Sequence, residues 1–372
     1  MEITIVAGAR PNFMKVAPII KAITRANHTD KLISFRLVHT GQHFDNKMSG
    51  SFFEELGIPE PDTNLEAGGG TQAEQTAAIM VRFEKELLEN RPQVVLVVGD
   101  VTSTMACSIT AKKLNIDVVH VEAGIRSGDL TMPEEINRMV TDSITDHFFT
   151  TSSHANENLL RSGVPVNRIH FVGNTMIDTL LSNYDRFKNP EISVNGVDLK
   201  ANSYFVLTLH RPSNVDQESQ FIEIMNAILD GTGNFPIIFP VHPRTAKLLE
   251  GLHIKDPRLC FAEPLSYLEF NYLVKNSRGV ITDSGGITEE TTIMGVPCLT
   301  LRNNTERPET ITIGTNELAG TDPEKIKFYL NKMVNGEWKK GIAPPLWDGK
   351  AAERIIASLL EIYEKELSLS YL

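Results

Sequence analysis

The chain is poor in cysteine. Its three, Cys107, Cys260 and Cys298, are scattered over 372 residues. That spacing supplies neither a disulfide framework nor a metal-ligand pattern. Positive charge is also short. Lys and Arg number 36 against 47 Asp and Glu, a net charge of −11. No broad basic surface for nucleic acid or an anionic membrane can be assembled from that balance. A small anionic ligand stays possible, because a few Arg and Lys in one cleft suffice. No apolar run approaches the roughly 20 residues of a membrane span. The acidic, strand-like start Met1-Glu2-Ile3-Thr4-Ile5-Val6 does not read as a signal peptide. These absences predict a cytoplasmic protein with reduced thiols and no metal. The first strand-to-helix turn lacks the G-x-G-x-x-G spacing, and no G-x-x-x-x-G-K-[ST] loop occurs. Neither nicotinamide redox chemistry nor P-loop hydrolysis is therefore supported.

What is present is an α/β rhythm. At 372 residues the chain is too long for one compact core, so two domains are expected. Strands are predicted at 3–7, 35–39, 94–98, 117–121, 148–150 and 169–171. Helices are predicted at 12–26, 47–56, 72–90 and 102–114, and after Pro133. Strand and helix alternating in this way mean a parallel sheet covered on both faces. The stretch 189–201, with Pro190, Gly196 and few bulky residues, reads as a linker. The pattern then restarts, with strands at 204–209, 236–239, 259–261, 279–282 and 297–301 and helices at 217–229, 267–275 and 287–294. A last helix covers about 351–366. The reading is two doubly wound Rossmann-like domains, 1–175 and 176–350, facing a central cleft, with 351–372 packing back on the first.

The densest chemistry lies between His120 and Arg138. Glu122 sits at the carboxyl end of a predicted strand, where open α/β sheets bind ligands. Arg126 and Asp129 follow in a glycine-bearing loop. Pro133 then opens a helix with Glu134 and Glu135 in its first turn. Acids that only cap a helix would look the same. Asp100 ends the preceding strand, in Gly99-Asp100. Gly8-Ala9-Arg10-Pro11 is the first strand-to-helix turn, where Arg10 and Lys15 could pair with phosphate. The strongest local signal is Asp283-Ser284-Gly285-Gly286. There the Ser284 hydroxyl and backbone N–H groups could hold a diphosphate at a helix start. Glu290, further along that helix, could accept from two ribose hydroxyls. His210 follows a strand and could donate to a phosphate. His242, between prolines, reads as a rigid corner or a pocket residue. Arg302, Glu306 and Arg307 form a charged loop after a strand.

Taken together, these segments resemble a known family. Gly8-Ala9-Arg10-Pro11, Gly41-Gln42-His43, Gly99-Asp100, His120-Val121-Glu122-Ala123-Gly124-Ile125-Arg126 and Pro133-Glu134-Glu135-Ile136-Asn137-Arg138 come first. Gly173-Asn174-Thr175, Asp283-Ser284-Gly285-Gly286 and Thr305-Glu306-Arg307-Pro308-Glu309 follow. They stand in the order found in the non-hydrolysing UDP-N-acetylglucosamine 2-epimerases, over nearly the whole chain. The resemblance implies the GT-B architecture, a homodimer, no cofactor, and a UDP-sugar as the partner. It implies interconversion of UDP-GlcNAc and UDP-ManNAc for surface polysaccharide precursors. By the same resemblance Asp100, Glu122 and Glu134 are catalytic carboxylates and His210 is the catalytic histidine. Arg10, Ser284, Gly285, Gly286 and Glu290 match UDP-binding positions, supported by Lys15, Arg138, His242 and Arg307. Three alternatives stay open: another UDP-2-acetamido sugar, a hydrolysing epimerase releasing ManNAc and UDP, and a sensor without turnover.

The chemistry fits the residues. The C2–H of a hexosamine has no adjacent carbonyl to acidify it, and no nicotinamide signature is there to create one. The route implied by the resemblance is loss of UDP from C1 and removal of the C2 proton by a carboxylate. That gives 2-acetamidoglucal, to which UDP re-adds while the proton returns on the other face.

Overall fold

The computed structural model describes residues 1–28, 32–41, 53, 55–194, 196–215, 217–241 and 256–370. Gln42, His43, His242 and most of the helix predicted at 47–56 lie outside the described residues. The chain divides into two compact units. One is Met1–Ser182 with Pro345–Leu372, and the other is Asn183–Pro344.

The first unit is built on seven strands: β1 (Glu2–Ala7), β2 (Ser34–His39), β3 (Thr63–Asn64), β4 (Val94–Val98), β5 (Asp117–Val121), β6 (His147–Thr150) and β7 (Ile169–Phe171). Their order is β3-β2-β1-β4-β5-β6-β7, and every pair is parallel. β4 reads VVLVV and is buried at all its positions. Such runs are needed because helices cover both faces of a parallel sheet. The strand order reverses between β1 and β4, which makes their carboxyl ends a switch point. The registers Ile5↔Leu96 and Val98↔Val121 bring the ends of β1, β4 and β5 level with one another.

The second unit opens with an antiparallel hairpin, β8 (Ser193–Val194) and β9 (Val197–Asp198). The predicted linker at 189–201 therefore carries structure. Ile192, Val194 and Leu199 pack against a core that includes Val206, Ile238 and Val280. The main sheet holds β10 (Phe205–Thr208), β11 (Ile237–Pro240), β12 (Leu259–Ala262), β13 (Gly279–Thr282), β14 (Cys298–Thr300) and β15 (Asn316–Leu318). Its order is β12-β11-β10-β13-β14-β15, again all parallel. The reversal falls between β10 and β13, whose Thr208 and Thr282 are register partners with hydroxyls 2.7 Å apart.

The sequence set the first boundary at 175/176, whereas the chain divides after Ser182. The helix Thr175–Asn183 joins the two ends of the first unit. Thr179 Oγ1 donates to the Met14 carbonyl at 2.5 Å. The Asp178 carboxylate accepts from the amides of Ala351 and Ala352 at 3.1 and 2.7 Å. It thereby caps the last helix, Ala351–Ser370, where N–H groups lack intrahelical partners. No helix among the described residues is long and apolar enough to cross a membrane.

Candidate functional site

In the first unit the switch point is tied together by Asn12, in the first turn of the helix Arg10–Ala26. Its Oδ1 accepts from the amides of Gly8 and Ala9 at 3.1 and 3.0 Å. Its Nδ2 donates to the Val98 carbonyl at 3.0 Å, joining the ends of β1 and β4. A Cβ on Gly8 would lie 2.0 Å from Ser103 Oγ, so only glycine fits there. Arg10 opens the same helix. Lys15, on its next turn, is buried and places Nζ 2.6 Å from Glu122 Oε2.

Glu122 follows β5 with φ +70°, the left-handed region. That conformation costs a residue with a Cβ about 1–3 kcal/mol and persists only where surroundings impose it. Here they do, because its amide donates to the Phe149 carbonyl at 3.0 Å and its carboxylate meets Lys15. Gly99 is folded beside the pair. A Cβ there would come 2.8 Å from Lys15 Nζ and 3.8 Å from Glu122 Oε2. Asp100 is the next residue. Its carbonyl accepts from Asn137 Nδ2 at 2.9 Å. Its Oδ2 accepts from Arg138 Nε and Nη2 at 3.0 and 2.5 Å.

Arg138 also donates from Nη1 to Glu135 Oε2 at 2.8 Å. In the sequence Glu135 reads as a helix-start charge, but it is 2% exposed. Its two oxygens accept from the amides of Ser127 and Gly128 at 2.9 and 3.0 Å, which shapes the loop after Glu122. Burial pushes its pKa up. The Ser127 amide, Arg138 and the Gly128 amide outweigh burial and hold it below the ordinary value. Glu134 is half-buried, and its side chain makes no hydrogen bond or ion pair with the other described residues. Beneath these groups His120 is fully buried. Its Nε2 donates to the Gly99 carbonyl at 2.7 Å, and its Nδ1 lies 2.7 Å from Asp142 Oδ1. Asp142 Oδ2 accepts from the Gly124 amide at 3.1 Å and from Arg126 Nη1 at 2.6 Å. Burial would raise the Asp142 carboxyl, but His120 and Arg126 hold it below its ordinary value.

The second unit repeats the plan with different side chains. Asp283, directly after β13, is fully buried. It accepts from the backbone amides of His210 and Arg211 at 3.1 and 2.9 Å and from Asn214 Nδ2 at 3.1 Å. His210 Nδ1 lies 2.7 Å from Asp283 Oδ1, while the histidine side chain is 54% exposed. Burial would raise the Asp283 carboxyl, but His210 and the two amides hold it low. Ser284 precedes the helix Gly285–Met294 and makes no capping bond with its side chain. Ser284, Gly285 and Gly286 are half-buried. The helix start thus keeps its N–H groups and positive dipole end for an anion.

Glu290 was expected to be accessible to a ribose. It is 4% exposed, and its Oε1 accepts from the Tyr267 hydroxyl at 2.8 Å. Burial pushes its pKa up to about 7, with the neighbouring Glu289 adding to the rise. Arg307 pairs with the buried Glu289. Arg302 pairs with Glu306 at 2.7 Å, and Arg211 Nη2 is 3.7 Å from the same carboxylate. The structure thus links Lys15, Glu122, Asp100 and Arg138 in one unit, and His210 with Asp283 and the Ser284 turn in the other. Asn12, His120, Asp142, Glu135, Tyr267 and Asp283 were not among the expected site residues.

The family model described as UDP-N-acetylglucosamine 2-epimerase matches residues 25–360. The chain belongs to this family. The UDP-N-acetylglucosamine 2-epimerase of Methanocaldococcus jannaschii is 42% identical, over 96% of this chain and 99% of that protein. A UDP-2,3-diacetamido-2,3-dideoxy-D-glucuronate 2-epimerase from Pseudomonas aeruginosa is 38% identical, over 97% and 99%. The crystal structure of the M. jannaschii enzyme in complex with UDP-GlcNAc and UDP superposes with a TM-score of 0.85 at 41% identity. It covers 96% of this chain and 99% of that one. The pair of parallel-sheet α/β units is consistent with the GT-B architecture expected from the sequence.

Proposed function

We propose that the chain interconverts UDP-GlcNAc and UDP-ManNAc without hydrolysis. The observation that carries this reading is the pair of strand-end carboxylates at the first switch point, each set on its own cation. Glu122 lies on Lys15, and Asp100 on Arg138. In the forward step the C1–O bond breaks and its electron pair leaves on the β-phosphate oxygen. The C2 proton passes to a carboxylate, and a C1=C2 double bond forms. A carboxylate placed beside C2 can serve as the general base for that proton. Return of the proton to the opposite face needs a second acid, and Asp100, Glu122 and Glu134 supply the candidates. Ser284, Gly285 and Gly286, with Arg10 and His210, are proposed to hold the diphosphate and Glu290 the ribose.

Incubation with UDP-GlcNAc tests this directly. UDP-ManNAc should accumulate while the total of UDP-linked sugar stays constant. Free ManNAc with UDP would select the hydrolysing reading, and no change with any UDP-2-acetamido sugar would select a sensor. The P. aeruginosa relative, named for a diacetamido glucuronate, favours a second reading. Under it, UDP-GlcNAc stays unchanged and the UDP-2,3-diacetamido sugar turns over.

The burial of Glu290 has a pH signature. Its folded value, about 7, lies above its ordinary 4.5. In the ligand-free protein its contribution to stability is complete below the ordinary value and lost as pH rises through about 7. Ribose hydroxyls donate to the ionised form. UDP affinity should therefore rise between about pH 6 and about pH 8, and Glu290→Gln should flatten that rise. Calorimetric titration giving the same pH slope in both proteins would take Glu290 out of the ribose site.

A further inference from the structure

We propose that Asp283 is a positioning residue for His210, locking its ring so that Nδ1 carries a proton and Nε2 is the nitrogen left for the leaving diphosphate. This rests on the reading of His210 as the catalytic histidine.

The geometry allows Asp283 little else. A carboxylate has about four lone-pair sites. Asp283 Oδ2 accepts from the His210 amide, the Arg211 amide and Asn214 Nδ2. Oδ1 faces His210 Nδ1 at 2.7 Å and the His210 amide at 3.3 Å. With no exposed surface and every site engaged, it cannot itself reach a substrate. It grips both the backbone and the ring of one residue, which removes the rotational freedom of a side chain otherwise half exposed. His210 Nε2 has no partner among the described residues. Asp283 only accepts, so a proton on Nδ1 is the one its Oδ1, 2.7 Å away, can meet. Nε2 is then an acceptor in the neutral ring and a donor in the cation. Only the doubly protonated ring has an Nε2 proton to offer to charge gathering on a departing phosphate. The other charged groups packed here are Arg211, whose Nε donates to the Asp283 carbonyl at 3.1 Å, and Glu306, 3.7 Å from Arg211. Neither occupies a His210 ring nitrogen.

A double-mutant cycle separates positioning from scaffolding, because residues acting as one unit are not additive. The readouts are kcat for UDP-GlcNAc epimerisation and Kd for UDP. Asp283→Asn offers an amide N–H₂ or a weaker acceptor to Nδ1, so the ring loses its fixed tautomer. It should lose on the order of 100-fold in kcat, as should His210→Gln. The double variant should lose no more than either alone. Equal further loss in the His210→Gln background would make Asp283 a structural residue and overturn the proposal. Full activity in Asp283→Asn would overturn it too. Full activity in His210→Gln would overturn the reading of His210 itself, and the Asp283 role with it. Nitrogen-15 NMR of the wild-type ring bears on the proposal without any variant. A protonated Nδ1 is expected, and a bare Nδ1 at neutral pH overturns it even if Asp283→Asn fails to fold.

Discussion

Asp100→Asn should cut kcat by about 10²–10⁴-fold while UDP affinity stays within a few-fold of wild type. The amide preserves the size of the side chain but cannot take a proton from C2. It also turns N–H₂ toward the guanidinium of Arg138, which now reaches Oδ2 with two of its nitrogens. Of the residues proposed to hold UDP, His210, Ser284, Gly285, Gly286 and Glu290 belong to the second unit and only Arg10 to the first. Their binding should therefore survive, and calorimetry with UDP beside a turnover assay separates the two effects. Near-normal turnover would remove Asp100 from the chemistry. Parallel loss of turnover and UDP affinity would make it a binding residue.

Arg138→Ala should strongly destabilise the first unit. Arg138 is 4% exposed and bridges Asp100 to Glu135. Its removal leaves the buried Glu135 with two amides and no cation, and Asp100 without its two guanidinium bonds. Stripping one partner from a buried ion pair costs about 3–5 kcal/mol. For a unit of this size that is a fall in melting temperature on the order of 10 °C. The folded value of Glu135 is depressed, so its contribution is present above the ordinary carboxylate range and lost as pH falls through the folded value. The deficit of the variant should accordingly be largest near neutrality and shrink on acidification. Arg138→Lys should recover only part of it, since an ammonium cannot span both carboxylates as a fork does. An unchanged melting temperature for Arg138→Ala at neutral pH would show that the network adds nothing to stability.

Much of the fold was legible because long β-branched runs such as Val94–Val98 have only one use, a strand covered on both faces. Short elements were not. β3 and β15 have two and three residues, too few for any period to show. The helix Ser153–Arg161 buries only Ala155 and Leu159, so its apolar stripe hardly registers. The hairpin at Ser193–Asp198 hid among polar residues because only one of its faces is covered. The candidate site divides the same way. Asp100, Glu122, His210 and Ser284 stand at strand ends, and the alternation of elements puts strand ends where ligands bind. Glu135 was misread because a helix-start acid facing water and one clamping Ser127 and Gly128 have the same sequence. The pairing of His120 with Asp142 spans 22 residues, and the burial of Glu290 depends on Tyr267, 23 residues away. Such partners are set by packing, which local pattern does not encode.

The central claim is that one carboxylate removes the C2 proton and a second acid returns a proton on the other face while UDP is detached. Running the reaction on UDP-GlcNAc in D₂O and reading C2 by NMR tests it most directly. The expected result is UDP-ManNAc with deuterium at C2, and UDP-GlcNAc that slowly gains it as well, because an acid/base carboxylate exchanges its proton with solvent. UDP-ManNAc that forms in D₂O with its C2 proton intact would contradict the account.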